Sequence, residues 1–174
     1  MADDLRHLTL GRASLLLAEG DLRRITFDGV EVLRRVSYPV RDTSWGTWPT
    51  ETVEETLDTE GGQISYLRRF EGRGGVIQGT FRAEGREDAD GLSLTLTVEL
   101  DAATALPTNR AGFTLLHPLA GVSGMPLTVT HADGRVEETH FPLTISPSQP
   151  VYSIAGLRHE VSGVTVDLRM EGEV

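Results

Sequence analysis

The chain has 174 residues, a length typical of one domain, and a formal net charge of −10 at pH 7. Its 16 Lys/Arg positions are all arginine and it contains no cysteine, which excludes a Schiff-base or P-loop lysine, a disulfide framework, a thiolate zinc site and a cysteine nucleophile. The negative charge argues against nucleic acid and an anionic membrane as partners.

Neither a membrane span nor a secretion signal is visible. The longest apolar run, residues 15–18, is far shorter than the ~20 residues that a membrane helix needs. The chain starts with Met-Ala-Asp-Asp, which is acidic and lacks the basic and apolar regions of a signal peptide. We therefore expect a cytoplasmic protein.

Apolar and polar side chains alternate along most of the chain, which predicts strands. Asp28-Gly29 marks a hairpin turn between residues 22–27 and 30–38, because glycine accepts the positive φ of a tight turn. Asp90-Gly91 is a looser turn. The clearest strand follows it, with five alternating apolar residues: Leu92, Leu94, Leu96, Val98 and Leu100.

Later turns continue this pattern. Asp133-Gly134 separates strand signals at residues 127–129 and 136, and Ser162-Gly163 lies inside the last strand signal, residues 161–168. Helix evidence is thin, since residues 102–106 and 154–160 could form one turn at most. About ten to twelve short strands predict an all-β, mostly antiparallel β-sandwich (supersandwich-like) with little helix, forming one domain over residues 1–174.

No metal site or cofactor is expected. Five acidic residues fall between Glu51 and Glu60, but their spacing matches no metal-binding loop and fits a solvated strand or loop. No histidine pair has the spacing of a zinc site. His7, His131 and His159 are expected to be structural or surface residues.

The first candidate binding segment is Arg41-Asp-Thr-Ser-Trp-Gly-Thr-Trp48, which contains both tryptophans of the chain. An indole ring offers a flat apolar face that suits stacking on a sugar. Arg41 and Asp42 could hydrogen-bond hydroxyl groups or a carboxylate. The alternative is that Trp45 and Trp48 close one end of the core and that Arg41 pairs with an acid.

The second candidate begins at Asn109, the one asparagine of the chain, and Arg110. The apolar residues 111–116 that follow predict a buried strand ending at His117. Seven residues in an extended strand span ~23 Å, so Arg110 and His117 cannot share a ligand through one straight strand. The alternative gives Arg110 a buried salt bridge and His117 a backbone hydrogen bond.

The third candidate is the pair Glu138 and His140, which are two residues apart and face one side of a strand. A carboxylate and an imidazole on one face could perform acid–base chemistry. They could equally be solvent-facing groups on an edge strand. No nucleophile elbow or dinucleotide fingerprint is present, so the residues alone assign no reaction and no catalytic residue.

Several stretches resemble the N-terminal region of the D-apionate lactonase family. They include Val40-Arg-Asp-Thr-Ser-Trp-Gly-Thr47 and the longer stretches at residues 20–35, 109–121, 137–142 and 145–150. The resemblance implies a sugar-acid catabolic enzyme that hydrolyses a lactone of the branched pentose acid apionate. It also implies a longer protein with a central barrel, of which this chain is the β-rich N-terminal part and is not catalytically complete.

Two other functions stay open. One is a stand-alone carbohydrate-binding or scaffolding sandwich, and the other is a mutarotase-like sugar epimerase, suggested by a short likeness around Asp28-Gly-Val-Glu-Val-Leu-Arg34. In every case the expected partner is a small sugar acid or lactone. Residues 164–174 look strand-like to the end, which favours a truncated domain that pairs with the rest of its chain or forms a homodimer.

Overall fold

The computed structural model describes residues 5–144 and 150–172. Of these residues 64% are in strands and 2% in helix, the sheets are antiparallel, and no helix among them reaches seven residues. The all-β prediction is therefore confirmed. Within the described residues no helix is long and apolar enough to cross a membrane.

Fifteen strands lie within those residues, more than the ten to twelve predicted, because strands of three or four residues are too short to show alternation. The strands are β1 (Arg6–Leu10), β2 (Ala13–Ala18), β3 (Asp21–Phe27), β4 (Val30–Ser37), β5 (Val40–Asp42), β6 (Thr50–Asp58), β7 (Gln63–Gly72), β8 (Ile77–Asp88), β9 (Gly91–Ala102), β10 (Thr108–Ala111), β11 (Thr114–Leu116), β12 (Pro126–His131), β13 (Val136–His140), β14 (Ile154–Val161) and β15 (Val164–Arg169). One short 3₁₀ turn covers Glu60–Gly62.

The chain forms two compact units. The first unit contains the residues up to Gly29 and Leu33–Leu116, and the second contains Val30–Val32 and the residues from His117 onward. The boundary therefore passes through β4. The expectation of one domain over the whole chain stays a prediction.

The first unit is built as a sandwich. One sheet has the order β1-β2-β3-β4-β11, another has the order β6-β7-β8-β9, and β5 and β10 form a separate two-stranded sheet. Leucines of the first sheet and aromatic rings of the second are buried, including Leu10 and Phe81 at 0% exposure. The Tyr38 ring stacks on Phe81 with centroids 4.4 Å apart.

The second unit is one antiparallel sheet with the order β13-β12-β14-β15. Alternate residues Leu127, Val129, Val161 and Val166 are buried on one face. Residues 154–160, for which the sequence allows one helical turn, form strand β14 instead, because both neighbours β12 and β15 pair with it. Strand β15 ends at Arg169, so the expectation of strand continuing through the following residues is wrong for Met170–Gly172.

The predicted hairpin turns are confirmed. Asp28 and Gly29, with φ of 49° and 77°, are the two residues between β3 and β4. Gly134 has φ of 85° in the turn between β12 and β13. These turns fix the register in which alternating residues reach the core.

The predicted buried strand at residues 111–116 is wrong. The backbone leaves the extended conformation at Gly112, with φ of 123°, so β10 pairs with β5 and β11 pairs with β4. Ala111 is exposed and Leu116 is 45% exposed. A glycine inside an apolar run allowed the chain to change sheets at that point.

Candidate functional site

The first and second candidate segments meet on the two-stranded sheet of the first unit. Strand β5 pairs antiparallel with β10, so that Arg41 lies opposite Arg110 and Asp42 opposite Thr108. The ladder is irregular between Thr108 and Arg110. The sequence alone could not show this pairing, because more than sixty residues separate the two strands.

Asp42 holds the hairpin loop that follows β5. Its Oδ1 atom accepts hydrogen bonds from the backbone N–H groups of Ser44, at 2.8 Å, and Gly46, at 2.9 Å. A Cβ on Gly46 would lie 2.7 Å from Asp42 Oδ2, so this position suits glycine. The carboxylate is thus a structural group that shapes the turn.

Trp45 occupies a strained position in this loop. Its N–H donates to the Asp42 carbonyl at 3.0 Å, and the Asp42 N–H donates to the Gly46 carbonyl at 2.9 Å. This is the pattern of a three-residue hairpin loop, in which the third loop residue is left-handed and usually glycine. Trp45 has φ of 66° and is 61% exposed. It does not close the core, so that alternative is wrong for Trp45.

Two more side chains brace the loop. Arg41 donates from Nη1 to the Trp45 carbonyl at 3.2 Å. Asn109 donates from Nδ2 to the Thr43 carbonyl at 2.9 Å. Residues of both predicted segments therefore fix the loop backbone that carries the Trp45 side chain. Such support of the backbone is typical of positions where a side chain binds a ligand.

Arg41 and Arg110 place two guanidinium groups on one face of this small sheet. Residues directly opposite each other in an antiparallel pair point to the same side, and like charges there are unfavourable. Within the described residues neither arginine forms an ion pair with a carboxylate. In a chain of net charge −10, this local excess of positive charge favours an anionic ligand.

Trp48 is half-buried and differs from Trp45. Its N–H donates to the Val40 carbonyl at 3.0 Å, and the guanidinium of Arg73 lies 4.5 Å from its ring centroid. One face of the ring is therefore covered by a cation. Arg73 could not be predicted as a neighbour of Trp48, because it comes from the turn after β7.

His117 belongs to the second unit, where it packs with Phe141 and His159. The His117 ring centroid lies 5.1 Å from each of the other two rings. Burial, and to a smaller extent His159, lowers the pKa of His117 from 6.5 to about 4. Burial also lowers the pKa of His159, which is 5% exposed. Sequence reasoning missed this pair because His117, just after β11, and His159, inside β14, lie far apart in the chain.

Glu138 and His140 lie on the exposed face of β13, an edge strand. Glu138 Oε2 accepts a hydrogen bond from Thr128 Oγ1 at 2.9 Å. His140 lies opposite Pro126 in the ladder. For Glu138 and His140 the geometry agrees with the solvent-facing alternative.

Arg110 lies on the exposed strand β10 and makes no buried salt bridge within the described residues.

Three or more metal-ligating side chains do not come together anywhere in residues 5–144 and 150–172. The site residues available here are thus cations, indoles and hydrogen-bonding groups. These can bind and orient a small anionic or hydroxylated molecule.

The fold and the β5–β10 loop define an all-β domain that presents an aromatic ring and cations to solvent. Comparison with known proteins identifies the family to which this domain belongs. The sequence profile described as D-apionate lactonase, N-terminal domain, matches residues 1–174, and the chain belongs to that family. The predicted family resemblance is confirmed. Of its quoted stretches, residues 145–149 lie outside the part that the structure describes.

The chain is similar to the D-apionate lactonase of Brucella anthropi, with 40% identity over 173 residues. The match covers 96% of this chain and 28% of the relative. The chain therefore spans little more than a quarter of the length of the curated relative that it matches. No solved structure matches it significantly.

Proposed function

We propose that the chain is the N-terminal module of an enzyme that hydrolyses the lactone of a sugar acid. The family membership and the similarity to a D-apionate lactonase support this reaction class. The module supplies a ligand-contacting surface at the β5–β10 loop and is not catalytically complete by itself. Its small-molecule partner is a sugar acid or its lactone, its macromolecular partner is the rest of its own longer chain, and its location is the cytoplasm.

The observation that carries the proposal is the exposed Trp45 on a loop held by Arg41 and Asn109, next to the paired positions Arg41 and Arg110. An indole face packs against the C–H face of a sugar, and a guanidinium forms paired hydrogen bonds with a carboxylate. A sugar acid carries both features. The strain at Trp45 fits the rule that unfavourable backbone conformations are kept where a side chain has a task.

The groups of the β5–β10 surface support a binding role and not a catalytic one. Lactone hydrolysis needs a general base or an activated nucleophile next to the carbonyl carbon. Asp42, the carboxylate at the loop, already accepts two backbone hydrogen bonds and holds the turn. The groups left for a ligand bind and orient it.

Binding is tested by titrating D-apionate into the chain while following tryptophan fluorescence. We expect saturable quenching, and a loss of about 10- to 100-fold in affinity for Arg110→Gln, since a hydrogen bond to a charged group contributes about 1.5–3 kcal/mol. Arg169→Gln is the matched control, because the Arg169 side chain is 85% exposed on another strand. Unchanged fluorescence at millimolar D-apionate would refute the proposal that this surface binds the ligand.

Catalysis is tested by proton release during hydrolysis of the D-apionate lactone. We expect background rates for the 174-residue chain and turnover for the longer enzyme that contains it. Turnover by the chain alone would show that it holds a complete active site. Saturable binding by the chain with no turnover by the longer enzyme would leave a carbohydrate-binding module and refute the lactonase.

The proposal includes self-association of the isolated chain as a symmetric dimer. Large apolar side chains are exposed, including Leu119 at 68% and Leu143 at 81%, and where such side chains form a contiguous patch they mark an interaction surface. Light scattering at increasing concentration should show a dimer that Leu143→Ser weakens. A monomer at high concentration would contradict it.

A further inference from the structure

The second unit contains a cavity of about 450 Å³ next to the turn between β12 and β13. Its volume lies within the ~300–1,000 Å³ typical of small-molecule sites. Charged, aromatic and hydroxyl side chains line it: His131, Asp133, Arg135, Glu137, Tyr152 and Ser153.

His131 forms the fixed base of this cavity. It is 6% exposed, with Nδ1 at 2.9 Å from the Tyr152 carbonyl oxygen and Nε2 at 3.1 Å from Glu137 Oε2. Through these two contacts the imidazole joins two sides of the cavity.

Glu137 and Arg135 form its polar rim. Arg135 Nη1 donates to Glu137 Oε2 at 3.0 Å, the oxygen that His131 also reaches. Hydrogen bonds from Arg135 first, and from His131 second, lower the pKa of Glu137, so the carboxylate is ionised at neutral pH. The Arg135 side chain is 57% exposed, which leaves N–H groups directed to solvent.

Tyr152 supplies an aromatic surface on a held backbone. The residue is 64% exposed, while its carbonyl oxygen lies 2.9 Å from His131 Nδ1. The next carbonyl, of Ser153, accepts from the Ala132 N–H at 2.8 Å, and Ser153 itself has φ of 53°. An exposed ring on a backbone fixed by two hydrogen bonds is preorganised for stacking.

We propose that this cavity binds a polyhydroxylated ligand of monosaccharide size. The carbon face of the ligand packs on the Tyr152 ring, one hydroxyl donates to Glu137, and another hydroxyl or a carboxylate accepts from Arg135. A neutral sugar and a sugar acid share the hydroxyl chemistry, and the Arg135 contact distinguishes them. The proposal rests on the lining of this cavity and does not depend on lactone hydrolysis or on the Trp45 loop.

Two-dimensional amide NMR of the chain, titrated with D-xylonate and separately with D-xylose, tests it. We expect saturable shifts for Gly134 and Ser153 and unchanged indole signals if only this cavity is filled. Tyr152→Ala should weaken both ligands at least 10-fold, while Tyr152→Phe keeps the ring and should bind within 3-fold of the parent. Arg135→Gln should weaken D-xylonate more than D-xylose.

Arg169→Gln is again the control, since Arg169 is exposed on β15 and outside the cavity lining. The proposal is overturned if neither ligand shifts Gly134 or Ser153 at 50-fold excess over a millimolar sample, or if Tyr152→Ala binds as well as the parent. Shifts confined to the indole signals would leave the Trp45 surface standing and refute this cavity. Retained dispersion in the variant spectra shows that each variant is folded.

Discussion

The hydroxyl group of Tyr38 lies 3.0 Å from Arg68 Nη1, from which it accepts a hydrogen bond, and 3.1 Å from the Gly20 carbonyl oxygen, to which it donates. Arg68 is 5% exposed and forms no ion pair within the described residues. Its Nε donates to Thr52 Oγ1 at 2.8 Å, and its guanidinium lies 5.0 Å from the Phe70 ring centroid. Hydroxyl groups and aromatic faces, rather than a carboxylate, solvate this buried charge.

Tyr38→Phe should therefore destabilise the chain more than Arg68→Met. The first change leaves a buried guanidinium donor and a buried carbonyl without their partner, at a cost of about 1–3 kcal/mol. The second removes the charge together with its need for an acceptor, and such replacements are often neutral or stabilising. Urea unfolding measures the free energy of unfolding of both variants. A larger decrease for Arg68→Met than for Tyr38→Phe would contradict this account.

Trp45→Gly should raise the free energy of unfolding by about 1 kcal/mol or less, since glycine adopts positive φ without the steric cost that tryptophan meets. The chain contains its own reference. The β12–β13 turn has the same pair of hydrogen bonds, with Gly134 at the equivalent position and φ of 85°. The same variant should lose D-apionate binding.

Ser162→Gly is the control for that variant. Ser162 has φ of 47° in the β14–β15 turn of the second unit, so it should gain similar stability without changing the fluorescence titration. If Trp45→Gly is destabilising, the indole contributes packing that outweighs the backbone strain, and its ligand-binding role loses its main support.

Acidification should destabilise the chain between about pH 6.5 and 4 through His117. The folded state lowers the pKa of this imidazole to about 4, mainly by burial and also through His159. The unfolded chain therefore binds the proton first as pH falls, so the stability contribution is complete above the unfolded pKa of ~6.5 and is lost toward pH 4. The shift corresponds to at most about 3 kcal/mol.

His117→Leu should flatten this dependence in unfolding curves at pH 7 and pH 5, and His140→Leu, an exposed edge-strand variant, should not. Identical pH slopes for the parent and His117→Leu would show that His117 is accessible to protons in the folded state. The pKa values of the carboxylates Glu87 and Glu137 are lowered mainly by hydrogen bonds from arginines, so both carboxylates are ionised at pH 7.

Gly79→Ala should lower the free energy of unfolding by about 1–3 kcal/mol, the usual cost of overpacking. An added Cβ would lie 2.3 Å from Phe70 Cζ and 2.9 Å from Leu100 Cδ2. Gly85→Ala, on the same face of β8, is the matched control, since its Cβ would lie 3.3 Å and 3.4 Å from the ends of two leucine side chains. Equal losses for both would contradict this packing.

Local chemistry allowed the strands and turns to be predicted, but not the contacts across the sheets. The alternation through β9 and the Asp28-Gly29 turn depend on neighbouring residues and are readable from the chain. The pairing of Arg41 with Arg110 and the packing of His117 on His159 depend on sheet topology, which periodicity does not encode. The prediction of one buried strand over residues 111–116 failed because the backbone changes direction at Gly112, inside the apolar run.

The division of β4 between the two units constrains the order in which the chain can acquire its structure. Val30–Val32 leave the ribosome early, yet the unit to which they belong needs residues from His117 onward. A nascent chain that stops at Leu116 therefore holds these three residues without the strands of that unit. No single cleavage can separate the units intact, because the chain enters the second unit at Val30–Val32, leaves it, and returns to it at His117.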